Sequence, residues 1–180
     1  VQARGLWLIL RPGPYIYAEW RNNGVPDRIA HLHRLHPDFV AAAAHYLTAL
    51  VETIRPWLAS HGGPVVLVQA DNEPDPWPGF YGQQLGLEDT PGPFQDFLRT
   101  HYGGDLAALN TAWETDLDDF EAARATTSPA IQERALLVRY LDYRRFLYAY
   151  SSQIVRWTAD HLRAAGVGVP LLVNHYPHHI

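Results

Sequence analysis

Cysteine and methionine are both absent from the 180-residue sequence. Without cysteine there can be no disulfide, no thiolate nucleophile and no thiolate zinc site. Charge is also sparse: 18% of residues are charged against 47% hydrophobic, with a net charge of −5. The charges are interspersed, and no Lys/Arg cluster offers a phosphate track, so no nucleic-acid partner is expected. No run of about 18 apolar residues exists, so no membrane span is expected. No signal or targeting segment is visible. The sequence opens on Val1 with a strand close behind, and reads as a piece of something longer. Localisation and oligomeric state are left open.

What remains is a globular composition long enough for one domain with a hydrophobic core. Leu6–Leu10 is a continuous apolar run and predicts a strand buried on both faces. Arg11-Pro12-Gly13-Pro14 ends it. A helix is predicted over Asp38–Ser60 from apolar residues spaced by three and four, with a kink at Pro56 and a stop at Gly62-Gly63. Val65–Val68 predicts a second buried strand, followed by a long loop to Gly92. Short helices are predicted over Pro93–Tyr102 and from the cap Asp105 through Trp113. Ser128-Pro129 is read as the opening of a long helix that runs to Ala165. Leu171–Val173 predicts a third strand. Buried strands alternating with helices argue for an α/β fold with a parallel sheet. Residues 1–180 read as one segment, with 91–127 as a helical loop insertion.

In parallel α/β barrels, active residues lie just past the carboxyl ends of the strands. After the first strand come Arg11, Tyr15, Ala18, Glu19 and Trp20. After the second come Gln69, Asp71, Asn72 and Glu73, and after the third Asn174, His175 and Tyr176. The opposite strand ends offer little chemistry. Glu19 and Asn72 suit sugar hydroxyls, and Trp20, Tyr15 or Trp77 could wall an apolar sugar face. Cleaving a glycosidic bond needs a carboxylic acid to protonate the leaving oxygen. Glu73 is the candidate, and neighbouring Asp71 and Glu19 would keep its proton on near neutral pH.

The stretch Arg11-Pro12-Gly13-Pro14-Tyr15-Ile16-Tyr17-Ala18-Glu19-Trp20, followed by Gly24-Val25-Pro26, resembles the signature of family 35 β-galactosidases. Val65–Glu73 is similar to that family's strand ending in Gln-x-Glu-Asn-Glu. Leu109-Asn110-Thr111-Ala112-Trp113-Glu114-Thr115 and Asp142-Tyr143-Arg144-Arg145-Phe146 resemble motifs of family 42 β-galactosidases instead. The resemblance implies part of a (β/α)8 TIM barrel, strands three to five, acting on an oligosaccharide or galactoside without a cofactor. It implies Glu73 as acid/base, Asn72 as ligand of the hydroxyl next to the reacting carbon, and Ala18 and Glu19 as galactose ligands. Tyr15 and Asn174 complete the candidate substrate site. The sequence departs from the pattern at Asp71, Pro74 and Tyr17, which bears on which sugar is bound.

A retaining enzyme needs a second carboxylate about 5–5.5 Å from the first. No residue here fills that role, and the resemblance puts it on a later barrel strand. This chain by itself is therefore expected to be inactive. Two other readings stay open: a carbohydrate-binding relative without catalysis, and a related hydrolase for another sugar, such as a β-glucosidase or mannanase. The histidine groups His31, His33, His36 and His175, His178, His179 lack zinc-ligand spacing, so no metal is expected.

Overall fold

A computed structural model of the chain describes residues 1–15, 20–74, 76, 83–128 and 132–174. Its elements in chain order are β1 (Leu8–Leu10), α1 (Pro37–Ile54), β2 (Val65–Asn72), α2 (Pro93–His101), α3 (Leu106–Trp113), α4 (Arg134–Ala165) and β3 (Leu171–Asn174). The chain divides into two compact units, Val1–Asp75 with Ser151–Ile180, and Pro76–Tyr150. The expected insertion 91–127 lies inside the second.

The first unit is an α/β layer. Its three strands pair in parallel in the order β1-β2-β3, with β2 in the centre. Val65, Val68 and Ala70 of β2 pack with Leu47 and Val51 of α1, Leu162 of α4, and Leu58, Val167 and Val169. In α1 the buried residues Phe39, Ala43, Leu47 and Val51 recur every fourth position as one stripe; Leu47 and Val51 meet the sheet, while Phe39 and Ala43 pack with Tyr15 and Ile29. Pro37 opens α1, and the His36 ring nitrogen accepts the Asp38 N–H at 3.2 Å.

Three sequence expectations change here. The α-helix stops at Ile54 rather than Ser60, and Arg55–Trp57 and Ala59–His61 form short 3-10 turns. Pro56 has no N–H to donate back along the helix, so the α-helical ladder ends there although Arg55 itself keeps helical geometry. β2 continues through Asn72 instead of ending at Val68, because the polar residues past Val68 still pair with β3. Ile9 of β1 is exposed, so this strand is not covered on both faces; it lies at the edge of the sheet.

The second unit is helical. Phe94 and Leu98 of α2, Leu109 and Trp113 of α3, and Phe146 of α4 are buried in it, and Phe94 meets both Trp113 and Phe146 ring to ring. The Asp105 side chain caps α3 by accepting the Ala108 N–H at 3.0 Å, as its position suggested. α4 begins at Arg134, six residues beyond Ser128, so Ser128 does not cap it.

The two motifs that resemble family 42 in sequence meet in this unit. Trp113 Nε1 donates to Asp142 Oδ2 at 2.8 Å, and the Tyr102 hydroxyl donates to the same oxygen at 2.6 Å. Arg145 donates to Asp142 Oδ1 at 2.8 Å. Burial and the adjacent Asp142 carboxylate push the Tyr102 hydroxyl well above its ordinary pKa. Asn110 staples the turn after α3: its Oδ1 accepts from Thr115 and the Leu117 N–H, and its Nδ2 donates to the Leu117 carbonyl. The motifs are therefore the polar fasteners of a helical core.

Candidate active site

The candidate site belongs to the first unit and forms where β2 and β3 end. Their pairing slips between Gln69 and Asp71, and Asn72 then faces Asn174 across the strands. Strict alternation would turn Gln69 and Asn72 to opposite faces. The slip brings them together, as bulges at strand ends do.

Gln69 is the hub. Its Nε2 lies 2.9 Å from the Asp71 carbonyl, 3.2 Å from Asn72 Oδ1 and 2.9 Å from Asn174 Oδ1. Arg11 Nη2 also donates to Asn72 Oδ1. The backbone N–H of Glu73 donates to Asn174 Oδ1 at 3.3 Å. Gln69 and Asn72 are buried, so every one of these bonds counts.

Glu73 has a backbone φ of 45°, in the left-handed region. A residue with a Cβ holds that conformation at some cost, and such strain collects at functional sites. Asn174 supplies the partner that holds it. Thus the candidate acid follows the central strand directly, with its backbone tied to the neighbouring strand.

A second set of bonds fixes the approach from β1. Arg34 Nη2 lies 2.6 Å from Asp71 Oδ2 and 2.9 Å from the Pro14 carbonyl. Tyr46 of α1 donates its hydroxyl to the Pro12 carbonyl at 2.6 Å. Gly13 has φ of 102°, and a Cβ there would stand 2.0 Å from the Tyr15 carbonyl oxygen, so this turn needs glycine. Asp71 Oδ1 also accepts the Asn72 N–H at 2.7 Å.

Burial pushes the Asp71 carboxyl above its ordinary value, and the Arg34 guanidinium pulls it back in part. Asp71 is thus buried and paired with Arg34 rather than a free carboxylate beside Glu73. Charge accounting for a buried Asp71 would have demanded a cation. Nothing in the spacing named Arg34, which lies 37 residues away in sequence.

The remaining candidates divide. Tyr15 is buried, with its ring 5.0 Å from Tyr46 and 6.0 Å from Phe39. Its faces serve the core, which corrects the idea that it walls a sugar. Trp20 is exposed. Ala18, Glu19, Trp77, His175 and Tyr176 lie outside the described residues. Among the described residues no group of three or more His, Cys, Asp or Glu is placed to hold a metal ion, and no helix is long and apolar enough to cross a membrane.

Buried amides and a carboxylate at the carboxyl ends of parallel strands define an α/β protein with a polar strand-end site. The model of Glycosyl hydrolases family 35 matches residues 1–111, more than half of the chain, and the chain belongs to that family. It is 36% identical to a beta-galactosidase of Homo sapiens over a match covering 59% of this chain and 16% of that one. A beta-galactosidase of Xanthomonas manihotis is 42% identical, with 39% and 13% covered. An exo-beta-D-glucosaminidase of Thermococcus kodakarensis is 26% identical over 94% of this chain and 24% of its own length. The chain thus spans about a quarter or less of the curated relatives it matches. In fold it resembles the crystal structure of a beta-galactosidase from Bacillus circulans sp. alkalophilus, with TM-score 0.59, 21% identity, and 88% of this chain and 22% of that one covered.

Proposed function

We propose that the chain is part of the catalytic (β/α)8 barrel, strands three to five, of a retaining glycoside hydrolase acting on terminal β-galactosides. Residues 91–127 form an insertion within it. The observation that carries this reading is Glu73 directly after Asn72 at the end of the central parallel strand, its backbone fastened to Asn174.

In the first step the Glu73 carboxyl gives its proton to the glycosidic oxygen as the bond to the anomeric carbon breaks. A second carboxylate, supplied by another part of the whole protein, forms the glycosyl–enzyme bond. In the second step the Glu73 carboxylate takes a proton from water, whose oxygen attacks the anomeric carbon and releases the nucleophile. Asn72, Asn174, Glu19 and the Ala18 backbone bind the sugar. No cofactor enters this scheme.

The test is turnover of β-galactosides by the whole protein, with NMR of the first-formed product. Retention with galactosides is the expected result; inversion, or no turnover of any glycoside, would refute the reading. A second reading keeps the chemistry and changes the sugar. The glucosaminidase relative matches 94% of the chain, whereas the human galactosidase matches 59% of it, which favours trial of 2-amino sugars.

A further inference from the structure

We infer that Gln69 and Arg11 fix the polarity of Asn72 and Asn174, so that both asparagines meet a ligand as hydrogen-bond donors only, selecting a hydroxyl over an ammonium at the sugar position Asn72 reads. The inference rests on the proposed reading that Asn72 faces the hydroxyl next to the reacting carbon.

Asparagine amides can be turned either way by their surroundings, so the assignment must come from groups with no choice. Three such groups are present. The Arg11 guanidinium can only donate, which requires the oxygen of Asn72 to face it. The backbone N–H of Glu73 can only donate, which requires the oxygen of Asn174. The Asp71 carbonyl can only accept, which turns the NH2 of Gln69 toward it. That NH2 is then the group that faces both asparagine oxygens; its two hydrogens serve three acceptors, so one of them is shared, and the three demands agree on the orientation of each amide.

The consequence follows from counting lone pairs. An amide oxygen has two. Asn72 Oδ1 gives them to Arg11 and Gln69. Asn174 Oδ1 gives them to Gln69 and Glu73. Each asparagine keeps only its NH2 for a ligand. A hydroxyl oxygen accepts from NH2. An ammonium has no lone pair, and would set donor against donor. Gln69 is thus a positioning residue that reaches the sugar through two others.

The test uses the whole protein and three nitrophenyl β-galactosides carrying hydroxyl, hydrogen or amine at the carbon beside the reacting one. The assay is run at about pH 5, well below the range in which an α-amine loses its proton. The expected order of kcat/KM is hydroxyl, then deoxy, then ammonium, with the ammonium sugar roughly 100-fold or more below the hydroxyl. An ammonium sugar turned over as well as the deoxy sugar would overturn the inference while leaving the glycosidase reading intact. Inertness of all three would overturn both. In Gln69→Leu each asparagine oxygen regains a lone pair, so the ammonium-to-hydroxyl ratio should rise about 10-fold. A role in stability alone would lower both substrates together, and an unchanged ratio in the folded variant counts against the inference.

Discussion

Arg34 reaches Asp71 at 2.6 Å and the Pro14 carbonyl at 2.9 Å with the same guanidinium nitrogen. One side chain therefore ties the turn after β1 to the end of β2, two residues before Glu73. The pair is largely buried, with side-chain exposures of 19% and 3%.

Arg34→Leu should cost roughly 3 kcal/mol of stability near neutral pH, because it strands a buried carboxylate. The pH dependence follows from Asp71, whose folded pKa is raised above 3.8. A carboxyl raised on folding favours the folded state most below its unfolded value, and that advantage is lost as pH rises through the folded value. Removing Arg34 takes away the groups that pull Asp71 down, so its folded value rises further. The gap between wild type and variant should widen as pH rises through the wild-type folded value, which lies above the ordinary carboxyl range. Urea unfolding at several pH values checks this; a gap independent of pH would show that Asp71 is not the linked group.

In the second unit, Asp142 is fully buried and accepts from Tyr102, Trp113 and Arg145. Asp142→Ala should destabilise the protein by about 3 kcal/mol or more, since it leaves buried donors without an acceptor. Asp142→Asn keeps one oxygen and should cost less. Denaturant midpoints for both variants test the ordering, and a loss below about 1 kcal/mol for Asp142→Ala would contradict it.

Asn174 holds the backbone of Glu73, so its truncation should act on catalysis more than on the fold. Asn174→Ala should lower kcat/KM of the whole protein about 10- to 100-fold. Asn174→Asp retains an oxygen that accepts from Gln69 and Glu73, and should recover part of the loss. Equal loss in both variants would place the importance of Asn174 in its NH2 rather than its oxygen.

Much of this was legible in the residues. The parallel order of three strands follows from apolar runs separated by helical spacing, and the site at their carboxyl ends follows from where polar residues cluster. The position of Glu73 just past the central strand was legible because the apolar run and Asn72 precede it. Other features were hidden for physical reasons. Ser128-Pro129 has the chemistry of a helix start, yet α4 begins at Arg134; a capping motif reports only what its own residues favour locally. Tyr15 sits within the stretch that resembles the family signature but packs as core, since an aromatic ring can line a site or fill a core. The partnership of Arg34 with Asp71 and the bridging by Gln69 depend on how the chain returns to itself, and on the slip in pairing between Gln69 and Asp71. No periodicity encodes either.

The central claim concerns Glu73 as proton donor and acceptor. It is tested most directly by Glu73→Gln in the whole protein, with kcat/KM measured on β-galactosides of poor and good leaving groups. The glutamine is nearly isosteric and cannot exchange a proton. The expected result is a loss of about 100-fold or more on alkyl galactosides, with a smaller loss on dinitrophenyl galactoside, which departs with little protonation. Equal activity of variant and wild type on alkyl galactosides would contradict the assignment.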